Sequence, residues 1–181
     1  MSAHLVMSSN SLRHTTFSCD SLGIHYEVNG TTKHGLTTVE RWDSSTNHNV
    51  FVGDFRLPWF KKDTMRMGVD GQWIYRDQFL YKVGNNPFSF TRHFMGSNGV
   101  KYKWRIHWDQ LQLYHASPEA AKQPLAVFHR HRSPSNQSYL EILDFSVLSS
   151  LDSIIVTFLI MERHRRNRKK ATRSHGGGGG P

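Results

Sequence analysis

The chain has 181 residues, 37% of them hydrophobic, a formal net charge of +9 and a single cysteine. One cysteine excludes an intramolecular disulfide and points to a reducing, intracellular compartment. The length suits one domain that buries about two-thirds of its unfolded surface, and eleven Phe, six Tyr and five Trp, each able to bury roughly 150–250 Å², offset the low apolar fraction.

Residues 1–10 lack a basic stretch followed by an apolar core, so no secretory signal is expected. They read as a disordered segment ahead of a single domain over residues 11–170. Period-two alternation, the mark of half-buried strands, begins at Ile24, Tyr26 and Val28. Shorter strands are expected over 37–42 and 50–55. Met65, Met67 and Val69 meet Asp70-Gly71, then Trp73 and Tyr75 follow, which predicts a hairpin. Phe88, Phe90 and Phe94 share one face. In 101–108, Tyr102, Trp104, Ile106 and Trp108 alternate with Lys101, Lys103, Arg105 and His107, so the aromatics are expected in the core and the cations in solvent. Asp109-Gln110 is the predicted turn into 111–114. Further strands are expected over 125–129 and 139–145, with Pro118, Pro124 and Pro134 in the loops. Ala120-Ala121-Lys122 forms a helical turn at most. About ten strands at short spacing predict a β-barrel or sandwich.

The run Ile154-Ile155-Val156-Thr157-Phe158-Leu159-Ile160-Met161 is apolar on all sides, as for a helix buried in the middle of a fold. Ser149-x-x-Asp152 ahead of it has capping-box spacing, and the cations that follow suit the negative end of a helix dipole. A helix over about 150–166 would be ~25 Å long. The apolar run is short of the roughly 20 residues that span a bilayer, so a soluble protein is expected, with residues 171–181 a disordered Gly-rich tail.

Three motifs carry a resemblance. Thr37-Thr38-Val39-Glu40-Arg41, Gly99-Val100-Lys101-Tyr102-Lys103-Trp104, and Leu151-Asp152-Ser153 with the following residues to Arg163 stand in this order. Together they resemble the fungal, mainly basidiomycete, family of unknown function 6593, across roughly residues 10–170. More distantly, in element order alone, strands followed by an apolar C-terminal helix resemble the tubby-like and LURP-one-related superfamily. That resemblance implies a mainly β fold: a closed antiparallel β-barrel wrapped around the hydrophobic C-terminal helix. Relatives there include phosphoinositide-binding and scramblase-like proteins, but none of their lipid-contacting residues match positions here.

Charge is concentrated at the end. Residues 163–173 hold seven cations and no acid, leaving sixteen cations against fourteen acids, or +2, for residues 1–162. This argues against a nucleic-acid-binding face spread over the domain and for a basic appendage. Arg163, Arg165, Arg166, Arg168, Lys169 and Lys170 are the first candidate site, an anchor for anionic phospholipid, where each cation near the surface contributes about 1 kcal/mol. Lys101, Lys103 and Arg105 are the second and would extend it if their face adjoins the helix end. Against this stands the bland reading: a solvated helix end that acts as a solubilising cap or nuclear-import element on a structural or protein-interaction domain. His129 and His131 have the i,i+2 spacing of metal ligands but lack a visible third, so a metal-dependent enzyme is the remaining alternative. No nucleophile, Walker A or zinc-protease pattern occurs. Cys19 reads as a small apolar filler. The expectation is a non-enzymatic binding module without cofactor, cytoplasmic, peripheral to a membrane or nuclear, with no protein partner identified.

Overall fold

The computed structural model describes residues 2–31, 35–58, 61–86, 89–117, 119, 122–131 and 136–175. Phe88, Pro118, Ala120, Ala121, Pro134 and residues 176–181 lie outside them. Twelve strands form one antiparallel sheet: β1 (Ala3–Met7), β2 (His14–Cys19), β3 (Ile24–Gly30), β4 (Leu36–Asp43), β5 (His48–Arg56), β6 (Thr64–Met67), β7 (Ile74–Tyr75), β8 (Arg92–Met95), β9 (Lys101–His107), β10 (Gln110–His115), β11 (Ala126–His129) and β12 (Tyr139–Ile142). A four-residue helix α1 (Arg76–Phe79) follows β7, and the long helix α2 (Leu151–His175) closes the chain after a 3₁₀ turn at Phe145–Ser150.

The expected mainly β fold on one C-terminal helix is present. Its strand order is β7-β6-β5-β4-β3-β2-β1-β12-β11-β10-β9-β8, so almost every neighbour in space is a neighbour in sequence. The exception sits at the centre. β1 pairs with β12, Leu5 opposite Leu140, as well as with β2. Residues 1–10 are therefore not the disordered leader expected above: Ala3, Leu5 and Met7 point into the core.

Closure was also expected, and the sheet is not closed. Its edges are β7 and β8, and no ladder joins them among the described residues. β7 lasts only two residues before the chain coils into α1, and a single bridge between Tyr81 and His93 touches β8. A clasp lies beside this gap: Asp63 pairs with Arg76 at 3.5 Å and with His164 of α2 at 3.0 Å.

The helix fills the concave side. Every residue from 153 to 162 is buried, whichever way it points, which an all-round apolar helix requires. Phe158 meets the rings of Phe17, Trp104 and Phe128 at 5.9, 6.0 and 4.7 Å. The polar atoms of Trp104 and Thr157 beside it are paired, as burial demands. The Trp104 indole N–H donates to Thr157 Oγ1 at 2.9 Å, and that hydroxyl lies 2.7 Å from the Ser153 carbonyl.

Phe145–Thr172 contains a window of mean hydropathy 1.7, long and apolar enough to cross a membrane by length and composition alone. The expectation of too short a run is thus corrected, but 72% of that window is buried inside the fold. The helix also runs further than 150–166, taking in residues 171–175 of the expected tail.

Its start differs from the predicted capping box. Asp144 caps the 3₁₀ turn by accepting from the Ser146 N–H at 2.9 Å. Ser149 and Ser150 bind the 96–99 turn instead: Ser97 Oγ donates to the Ser149 carbonyl and the Asn98 N–H to Ser150 Oγ. The approach is close enough that a Cβ on Gly96 would fall 2.5 Å from Ser150 Oγ. Asp152 turns to the sheet, accepting from the Tyr26 hydroxyl at 2.5 Å and pairing with Arg41 at 3.2 Å. Burial and the Asp152 carboxylate push the Tyr26 phenol above its ordinary pKa. Arg41 with Asp152, and Trp104 with Thr157, join residues of the three sequence motifs. These motifs therefore mark where sheet and helix meet.

Candidate functional site

Most of the cationic segment is spoken for. Glu162 is 0% exposed, the last acid before the cations. Its carboxylate accepts two bonds from Arg165, Nε at 2.6 Å and Nη2 at 2.9 Å, and one from Arg166 Nε at 2.8 Å. The i,i+3 and i,i+4 spacings put all three side chains on one flank of α2. Arg165 is itself buried, 4% exposed, and its Nη1 reaches across to the Asp109 carbonyl at 2.7 Å. Burial opposes the charge on Arg165, but the Glu162 and Asp109 contacts override it and hold its pKa above the ordinary value. Lys169 pairs with the Asp109 carboxylate. Arg166 Nη1 donates to the Asn10 carbonyl, and Asn10 binds the His131 carbonyl at 2.9 Å, so the expected leader also docks on the helix end. Arg163 is half-buried and donates weakly to the Leu57 carbonyl at 3.4 Å. Burial, with Arg13 nearby, lowers its pKa.

Of the six predicted helix-end cations, Arg168 and Lys170 are exposed. They sit one turn beyond the buried pair, where α2 leaves the sheet.

The β9–β10 connection stands beside Arg168. His107 pairs with Gln110, so the loop is Trp108-Asp109 rather than the predicted Asp109-Gln110. Both residues have positive φ, 48° and 63°, the conformation of a type I′ hairpin turn. Tyr102 and Trp104 are in the core as expected, while Trp108 is ejected. Parity would have turned it inward, but the turn backbone rotates it out, and it is 87% exposed. A bulky residue in the left-handed region is strained, at a cost of order 1–3 kcal/mol. Arg165 and Lys169 grip Asp109 and hold the turn to the helix. Trp108, Asp109, Arg165 and Lys169 line one side of a small cleft. Next to it, Phe90, Ile106, Arg168 and Lys169 line a wider groove of about 490 Å³.

The other candidates lie elsewhere. Lys101 is at the opposite end of β9, beside His115 and Ser117, near the start of α2. Arg105 lays its guanidinium over the Tyr114 ring at 5.0 Å, and Lys103 pairs in register with His93 on the neighbouring strand. The stripe and the helix end therefore do not merge along the whole strand.

His129 and His131 do share a face, with His4 joining them. Their rings pack against Tyr139 at 4.7, 5.9 and 4.4 Å. His129 bonds Glu141 at 2.8 Å, and among the described residues no group of three or more His, Cys, Asp or Glu is arranged to hold a metal ion. Cys19 is buried, as expected of a filler.

Sequence reasoning missed Asp109, Asn10 and the exposure of Trp108. Glu162 was legible, as an acid set on the apolar helix with Arg three and four residues on. No curated protein and no solved structure matches the chain. A family model matches residues 10–167, most of the chain, and the protein belongs to that family, the Family of unknown function (DUF6593).

Proposed function

We propose that this chain is a non-catalytic binding module that attaches peripherally to anionic phospholipid through the end of α2. The observation that carries the reading is the pair Arg168 and Lys170, exposed where the helix leaves a nearly neutral body. The burial of α2 on every side supports a barrel-like wrapping and, with it, the tubby-like comparison. An intracellular location agrees with a single buried cysteine.

Co-sedimentation with phosphatidylserine-containing and pure phosphatidylcholine vesicles tests this. A chain ending at Glu162 would strand that carboxylate in the core, so Arg168→Gln/Lys170→Gln is the informative variant. At about 1 kcal/mol per cation, the double variant should bind anionic vesicles roughly tenfold to thirtyfold more weakly. Wild-type binding should fall steeply with salt. Binding that ignores both salt and the two substitutions refutes the proposal.

A structural or protein-interaction role has its own support. Arg165, Arg166 and Lys169 serve intramolecular bonds, as a solubilising cap would. Wild-type protein that never pellets with anionic vesicles selects that reading.

A further inference from the structure

The most exposed large apolar side chain among the described residues is also the most awkwardly held. Trp108 is 87% exposed, against 69% for Val69, the next in rank. It occupies a φ of 48°, which a bulky side chain adopts only under constraint. Hairpins of this type usually place Asn or Gly there. The constraint comes from a chain of paired charges that begins in the core and ends at the surface. Glu162 orients Arg165, Arg165 clamps the Asp109 carbonyl, and Lys169 takes the Asp109 carboxylate. The His107 ring meets the indole edge-on at 5.8 Å, and the rest of Trp108 faces solvent. An indole so presented stands at the tip of a hairpin, whose Asp109 lines a groove with the exposed Arg168 of α2.

We infer that Trp108 is an interfacial anchor that inserts its indole into the headgroup region of an anionic phospholipid bilayer. The Glu162–Arg165–Asp109 chain acts as the positioning device that keeps the indole extended. The inference rests on the phospholipid reading and adds to it an apolar contribution that salt does not screen. Charge complementarity and the amphipathic character of the ring choose the occupant. An amphipathic ring suits the boundary between headgroups and acyl chains, and the exposed Arg168, which lines the groove against Asp109, suits an anionic headgroup.

The test uses the full chain with vesicles of phosphatidylcholine and phosphatidylserine, with and without bromine on the acyl chains. Trp108→Ala should weaken vesicle binding about tenfold or more at low and at high salt, because buried apolar area is lost. Trp108→Phe should restore part of it. Wild-type fluorescence should be quenched by the brominated lipid, and Trp108→Ala should lose that quenching while keeping the wild-type melting temperature. Arg168→Gln/Lys170→Gln should instead flatten the salt dependence and leave residual quenching at high protein. Wild-type-like binding by Trp108→Ala, or no quenching of bound wild type, overturns the anchor while the electrostatic reading stands. Self-association without vesicles that Trp108→Ala abolishes overturns it in favour of a protein contact. A wild type that binds no vesicle overturns both readings together.

Discussion

Glu162→Gln removes one charge from a fully enclosed site and changes almost no volume. In the wild type the carboxylate accepts three guanidinium bonds at 2.6, 2.9 and 2.8 Å. In the variant, Arg165 keeps its bond to the Asp109 carbonyl and its 3.4 Å contact with the exposed Asp109 carboxylate but loses its buried counter-charge. Breaking a buried pair from one side costs about 3–5 kcal/mol, since the remaining ion stays desolvated. For a chain of this length each kcal/mol lowers the melting temperature by roughly 2–4 °C, so the shift should be about 6–20 °C. Urea unfolding followed by tryptophan fluorescence gives the free energy directly. A second variant separates charge from packing: Glu162→Met/Arg165→Met removes both ions, retains bulk, and should recover most of the loss. A Glu162→Gln variant destabilised by less than about 1 kcal/mol would sink the argument, because surface pairs are worth only that much.

Two further outcomes follow from the core and the helix start. Phe158→Asp places an unpaired charge against Phe17, Trp104 and Phe128. It should prevent folding, and a cooperative melt near the wild-type temperature would refute the buried-helix account. The backbone N–H of Ser146 holds the Asp144 carboxyl below its ordinary pKa. A carboxyl depressed in the folded state stabilises above its unfolded pKa, and that contribution is lost as the pH falls through the folded value. Acidification should therefore lower the urea midpoint of the wild type more steeply than that of Asp144→Asn, and equal slopes would show that the cap carries no linked charge.

The helix was legible because an all-round apolar run has nowhere to go but inside, a requirement set by local composition. Alternation likewise placed Tyr102 and Trp104 in the core, since side-chain direction along a strand repeats every two residues. Parity failed at Trp108 because a turn with positive φ breaks the period, and what sustains that turn is Asp109 held from α2, more than fifty residues away. The leader was misread for a related reason. Ala3, Leu5 and Met7 do alternate, but a strand between β2 and β12 draws its stability from Leu140 and Ile142, partners supplied by the far end of the chain. Of the cations, those paired with Glu162 by helical spacing could be recognised locally. The further contacts that Arg165 and Arg166, with Arg163 and Lys169, make to Asp109, Asn10 and Leu57 could not, because they depend on distance in space, and the fold sets that distance.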